Sequence, residues 1–277
     1  MNMRRSRLAT SMAIVVIAVA GCTGSTATPS AISTKTAAPV GQAASPTTAA
    51  NTLTVAYEDN CQIELIAPSG QRVLIDVYDP TLLTSPAKST DILLTTHLHS
   101  DHYNAAFESS FPGKKITNAT ADTTMDGVKI KSIAASHDDS AIVPDAPTNH
   151  IFVIEFDGFK IVHGGSTGQL SLTPDQVAAI GGNVDIAAIV LQNVGGTDPG
   201  NTKPIDIAKQ INPKLIIPTH SALAYVQAAG KLWKSTYSGN LTVKIRHDQL
   251  PSQTTMLFMG SLATSYGAIL SSPETEW

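Results

Sequence analysis

Two cysteines in 277 residues leave little room for a disulfide scaffold. Charge is sparse too. Lys and Arg number 18 against 22 Asp and Glu, and the lysines are scattered rather than gathered in a basic stripe. That excludes a polyanion-binding surface, so no nucleic-acid partner is expected. The apolar stretch at residues 8–20 falls short of the ~20 residues that a helical bilayer span needs. No internal repeat or second folded domain is evident.

That stretch follows Arg4, Arg5 and Arg7, which together make it the core of a secretory signal. It ends in Val19-Ala20-Gly21-Cys22, which resembles the lipobox of bacterial lipoproteins and implies cleavage before Cys22 and lipid on its thiol. The alternative is an ordinary signal with a chance cysteine. Arg4-Arg5 also permits a twin-arginine route, although the flanking residues fit it poorly. Residues 23–52 contain 8 Thr, 8 Ala, 4 Ser, 3 Pro and 2 Gly, too little apolar bulk to offset ordering entropy. They are expected to form a tether reaching roughly 30 Å. The expected organisation is a signal at 1–21, a lipidated Cys22 and tether at 22–52, and one domain at 53–277. The expected location is extracytoplasmic, with the membrane as partner through the lipid. Removing the signal takes three Arg and no acid, leaving 15 Lys and Arg against 22 Asp and Glu. Cys61 then has no partner, and a small buried hydrophobe within a strand is its expected role.

Patterning in the domain predicts strands at 53–57, 62–66 and 72–77, with Pro68-Ser69-Gly70 turning the last two. Further strands are expected at 91–96, 128–134, 150–156 and 160–163, the last two joined by Asp157-Gly158, a favoured hairpin turn. Thr173-Pro174-Asp175-Gln176 reads as N-cap, first-turn proline and capping-box glutamine of a helix ending near Ile180, where Gly181-Gly182 stops it. Strand, helix, strand and helix follow at 186–191, 205–210, 215–217 and 222–229, and strands near 241–245 and 254–258 close the domain. Hairpins interrupted by helices suggest an α/β fold, a four-layer αββα sandwich.

The run His97-Leu98-His99-Ser100-Asp101-His102 is the chemical signature. It leaves an apolar strand, so His97 and His99, two apart, project to one side if the strand geometry runs on. A helix expected at 101–109 turns Asp101 and His102 back toward the same point. Neutral imidazoles and a carboxylate suit zinc, with iron or manganese as alternatives.

Several segments in order resemble the metallo-β-lactamase superfamily, and within it a lactonase-like branch related to L-ascorbate-6-phosphate lactonase. They are Leu74-Ile75-Asp76, His97–His102, Ser136-His137, His163-Gly164-Gly165-Ser166-Thr167-Gly168 and Pro218-Thr219-His220. The resemblance implies the αββα sandwich and two metal positions. His97, His99 and His137 would hold one ion, and Asp101, His102 and His220 a second. It also implies a small-molecule substrate, an ester, lactone or phosphodiester, attacked by metal-activated hydroxide that Asp101 orients. Asp76 has two readings: a partner fixing one histidine tautomer, or a strand-end residue bonded to local backbone.

Ser166 departs from the family, which places a metal-bridging Asp there. One β-lactamase subclass nevertheless binds two zincs, through three His and through Asp, His, His, without that bridge. One or two ions thus remain open, with Asp138, Asp139 or Asp198 as substitute carboxylates. His163 either lines the pocket or ends a strand, while His150 and His247 are expected to be structural or superficial. The loop at 195–201 bounds the cleft or is a plain turn. A β-lactamase is a competing function, weakened because Ala135-Ser136-His137-Asp138-Asp139 lacks the G-H-x-P-G surroundings of that group. A degenerate, non-catalytic metal- or ligand-binding lipoprotein is the other.

Overall fold

A computed structural model describes residues 51–58, 60–192 and 202–260. The expected signal, Cys22, the tether up to residue 50, and the 195–201 loop with Asp198 lie outside the described residues.

The first sheet carries β1 (Thr52–Tyr57), β2 (Ile63–Ile66), β3 (Arg72–Ile75), β4 (Ile92–Thr95), β5 (Lys114–Thr117) and β13 (Thr242–Arg246), in the order β13-β1-β2-β3-β4-β5. Its early strands pair antiparallel, and β3, β4 and β5 run parallel. The second sheet orders β12 (Lys234–Ser238), β14 (Thr255–Met259), β11 (Leu215–Thr219), β10 (Ile186–Val190), β9 (Phe159–His163), β8 (Asn149–Phe156), β7 (Val128–Ala135) and β6 (Ala121–Met125) as β12-β14-β11-β10-β9-β8-β7-β6. It is parallel from β12 to β9 and antiparallel from there to β6.

Alternation sorts side chains between faces. Val73, Ile75, Ile92 and Leu94 meet Ile154, Ile161, Leu215 and Leu257 between the sheets. Leu74 and Leu93, one residue out of phase, pack outward against Phe107 and Phe111 around helix α1 (Ala105–Ser110). Beyond the second sheet, Ile151, Val162, Ala187 and Phe258 contact α2 (Pro174–Ile180), α3 (Lys203–Ile211) and α4 (Leu223–Gly230) through Ile180, Ile207, Ile211 and Val226. Four layers, αββα, result. Strands β10 and β11, covered on both faces, are buried throughout and accordingly read as unbroken small-to-apolar runs.

Most elements start or end a few residues from expectation, and three of these differences have a visible cause or consequence. The helix expected from 101 begins at Ala105, because Asn104 Oδ1 accepts from Phe107 N and caps it there. Asp101 and His102 instead lie in a turn in which His102 N bonds His99 O at 2.9 Å. Strand β3 stops at Ile75, since Asp76 adopts φ +52°. Thr52, counted with the tether, pairs with Arg246 and opens β1. The capping box at Thr173 and Gln176 is present, and Gly181 ends that helix.

Candidate metal centre

Loops after β3, β4, β7, β9 and β11 bring Asp76, His97–His102, His137, Ser166 and His220 to one edge of the sandwich. The turn before β2 adds Cys61. Candidate ligand atoms of His97, His99 and His137 lie within 4.8 Å of one another, and those of Cys61, His102 and His220 form a second group within the same limit. The groups adjoin, with the His97 and His102 rings 4.0 Å apart between centroids.

Backbone geometry aims these groups. Asp76 and His220 are non-glycine residues at positive φ, +52° and +40°, a costly conformation that clusters at functional sites. In the segment after β9, a Cβ on Gly165 would meet Asn149 Oδ1 at 2.5 Å and Thr96 Cβ at 2.7 Å, and Gly165 has φ +54°. A Cβ on Gly168 would fall 2.0 Å from the His137 carbonyl oxygen. Both positions require glycine, because the loop is pressed onto the segments that carry His97 and His137. Asn149 fastens this loop. Its Nδ2 donates to Gly164 O and Thr167 Oγ1, each at 3.0 Å, while its Oδ1 accepts from Ser166 N at 3.2 Å.

Asp76 is fully buried and serves both clusters. Its Oδ2 accepts from His102 Nδ1 at 2.8 Å and from Thr96 Oγ1 at 2.8 Å, and its Oδ1 accepts from Thr96 N at 2.7 Å. Both readings of this residue are therefore present, the histidine partner and the local backbone bond. Thr96 Oγ1 lies 3.0 Å from His97 Nδ1. Having given its one proton to Asp76, that hydroxyl can only accept from His97, which fixes the proton on Nδ1 and a lone pair on Nε2. His97 Nε2 is buried with no hydrogen-bond partner among the described residues. An imidazole lone pair so placed, beside two further imidazoles, fits a divalent cation.

Electrostatics agree. Burial, then the neighbouring His102, push His97 down to about 2, so it is a neutral, ligand-competent ring. His137 is lowered chiefly by burial and by His99. Burial acts to lower His102, but the Asp76 carboxylate bonded to its Nδ1 opposes this and holds the ring above its ordinary value. Desolvation opposes ionisation of Asp76, yet His102 keeps its carboxyl below the usual range. A proton on His102 thus balances Asp76, and a cation entering there displaces it.

In the second cluster His102 Nε2 lies 3.0 Å from both His220 Nε2 and Ser166 Oγ. Asp101 Oδ2 is 3.4 Å from His220 Nε2 and 3.9 Å from His102 Nε2, on a half-exposed side chain at the mouth. Of the substitute carboxylates, the two described are held by other partners: Asp138 Oδ1 accepts from Ser136 Oγ and Ser140 N, and Asp139 pairs with Lys203 at 2.7 Å. Cys61 is not the strand hydrophobe expected, because it sits in the turn ahead of β2 with its Sγ among the imidazoles. His163 does not line the pocket. Its buried Nε2 donates to Cys61 O at 3.1 Å and its Nδ1 accepts from Gly165 N at 3.2 Å, tying the loop after β9 to Cys61. His150 is buried, with Nδ1 donating to Thr96 O at 3.1 Å, and His247 lies beside Asp185 at 3.5 Å. Thr96, Asn149 and Cys61 escaped sequence reading. Only for Cys61 was there a signal, a lone thiol in a chain otherwise nearly free of cysteine.

Residues 57–220 match the family described as Beta-lactamase superfamily domain. A metal-dependent hydrolase of Thermococcus onnurineus is 27% identical over 175 residues, 54% of this chain and 77% of the relative. One from Thermococcus kodakarensis is 23% identical over 178 residues with the same coverage. Among solved structures, a Thermotoga maritima protein named as a Zn-dependent hydrolase of the metallo-β-lactamase superfamily has the same fold. Its TM-score is 0.56 at 23% identity, covering 75% of this chain and 98% of that one. Over more than half of its length, and in the two-sheet sandwich that carries the histidine loops, the chain belongs to the metallo-β-lactamase superfamily.

Proposed function

We propose that this chain is a metal-dependent hydrolase of small esters, lactones or phosphodiesters, tethered by lipid on Cys22 to the outer side of a bacterial membrane. The observation that carries the hydrolase is the buried His97 Nε2, without a hydrogen-bond partner among the described residues, converging with His99 and His137. His97, His99 and His137 would hold one ion, zinc by the chemistry of the donors, and Asp101, His102 and His220 a second. A divalent ion there supplies Lewis-acid polarisation of a carbonyl or phosphoryl oxygen and acidifies water.

The chain's own residues do the remainder. Asp76 sets the tautomer of His102 directly and of His97 through Thr96, so each ring presents Nε2. Asp101, on a half-exposed side chain beside His220, would orient the attacking oxygen. The Cys22 anchor rests on the Arg-led apolar stretch and Val19-Ala20-Gly21-Cys22.

The test is elemental mass spectrometry on the purified chain before and after zinc exposure, with a panel of esters, lactones and phosphodiesters. Bound metal and turnover are expected, with His97→Ala losing one equivalent of metal and the turnover together. If His97→Ala kept its hydrolysis unchanged, the proposal would fail. Turnover of nitrocefin in place of the panel would assign β-lactam hydrolysis instead.

A further inference from the structure

Resting on the reading of this site as a metal centre, we infer that its second position is a thiolate site, in which Cys61 Sγ joins His102 and His220 as a metal ligand. Ser166 removes the carboxylate that the superfamily places between the two ions, and its hydroxyl, 3.0 Å from His102 Nε2, is a poor replacement. The thiol comes from a different element. Cys61 lies on the turn between β1 and β2, on the opposite side of the chain order from Ser166, yet its sulfur shares a 4.8 Å group with the two imidazole nitrogens.

Packing alone does not explain how this turn is built. Asn60, at φ +47°, receives His220 N on its carbonyl at 3.4 Å and Tyr57 Oη at 2.9 Å. His163 Nε2 holds the Cys61 carbonyl at 3.1 Å. The turn is thereby pinned both to the residue that supplies the third donor and to the loop that carries Ser166. As a hydrophobe, Cys61 clusters with Val190 alone among the buried apolar residues described. A sulfur and two nitrogens, with the Asp101 carboxylate 3.4 Å from His220, make a four-donor set of the kind that zinc takes in tetrahedral sites. Thiolate softness biases such a site toward zinc or cobalt and away from manganese or magnesium. On binding, the Sγ–H bond breaks, its proton leaves to solvent, and the sulfur lone pair forms the bond to the ion.

The test is cobalt(II) titration of the metal-stripped full chain carrying Cys22→Ala, which makes Cys61 the sole thiol. The expected result is uptake of two equivalents, the second bringing a near-ultraviolet thiolate-to-cobalt charge-transfer band and protecting Cys61 from iodoacetamide. Cys61→Ser is expected to lose both the band and the second equivalent while retaining the visible bands of the first. Adding Ser166→Asp to that variant is expected to restore the second equivalent without the charge-transfer band. Two equivalents bound with no such band and no thiol protection would overturn the inference, leaving Cys61 a packed thiol and the hydrolase reading intact. No cobalt bound at all would overturn both.

Discussion

Asp76 concentrates the residue-scale chemistry, because one buried carboxylate sets the donor atom of a histidine in each cluster. Replacing it with Asn keeps the volume but puts an amide N–H where two donors now point. Asp76→Asn is therefore expected to weaken metal affinity at both positions by roughly 10- to 100-fold, the usual effect of losing a partner behind the ligands. Competition with a chromophoric chelator checks this, and unchanged affinity would remove the relay through Thr96. Residues at this scale were legible only where local sequence carried them. His97, His99, Asp101 and His102 stand in one hexapeptide. Thr96 and Asn149 acquire their roles from partners 20 and 15 or more positions away, so neither looks unusual in the sequence.

Among elements, every interior strand was legible, while of the four edge strands only β13 was, expected at 241–245 and observed at Thr242–Arg246. Strands β5, β6 and β12, absent from the sequence expectation, are all edges of their sheets and bury few of their side chains. Their patterning is weak because one side faces solvent. The Asp126-Gly127 turn of the β6–β7 hairpin, at φ +48° and +86°, was a readable signal of the same type as Asp157-Gly158. Strand pairing in the first sheet also depends on a buried ionic knot. Arg72 on β3 bonds Glu64 on β2 at 2.9 Å and Asp91 ahead of β4 at 2.5 Å, and adds Ser85 and Pro86 carbonyls. Arg72→Met leaves two buried carboxylates uncompensated and is expected to cost about 3–5 kcal/mol in urea unfolding. A loss below about 1 kcal/mol would show the knot to be solvated.

At the scale of the whole molecule, stability carries a pH signature from Glu58. Burial and the adjacent Glu64 raise its carboxyl from 4.5 to about 9. Between those values the folded chain binds a proton that the unfolded chain releases, so stability falls as pH rises across the window. Glu58→Gln, whose amide replaces the protonated carboxyl opposite Gln62, is expected to flatten that fall in thermal melts taken across it. An undiminished slope would place its origin elsewhere. No helix among the described residues is long and apolar enough to cross a membrane, and the proposed lipid anchor at Cys22 is tested separately. Cys22→Ala is accordingly expected to move the protein from the membrane to the soluble fraction of a bacterial host; retention in the membrane would count against the lipid anchor. By itself the sequence determined the layered α/β class, the interior strands, the capped helix at Thr173 and the histidine run, since periodicity, capping and ligand spacing act over a few residues. The tertiary structure alone decided the Asp76 relay and the place of Cys61 beside His102 and His220. These depend on loops from distant strands meeting at one edge of the sandwich, and contacts across such separations leave no local pattern to read.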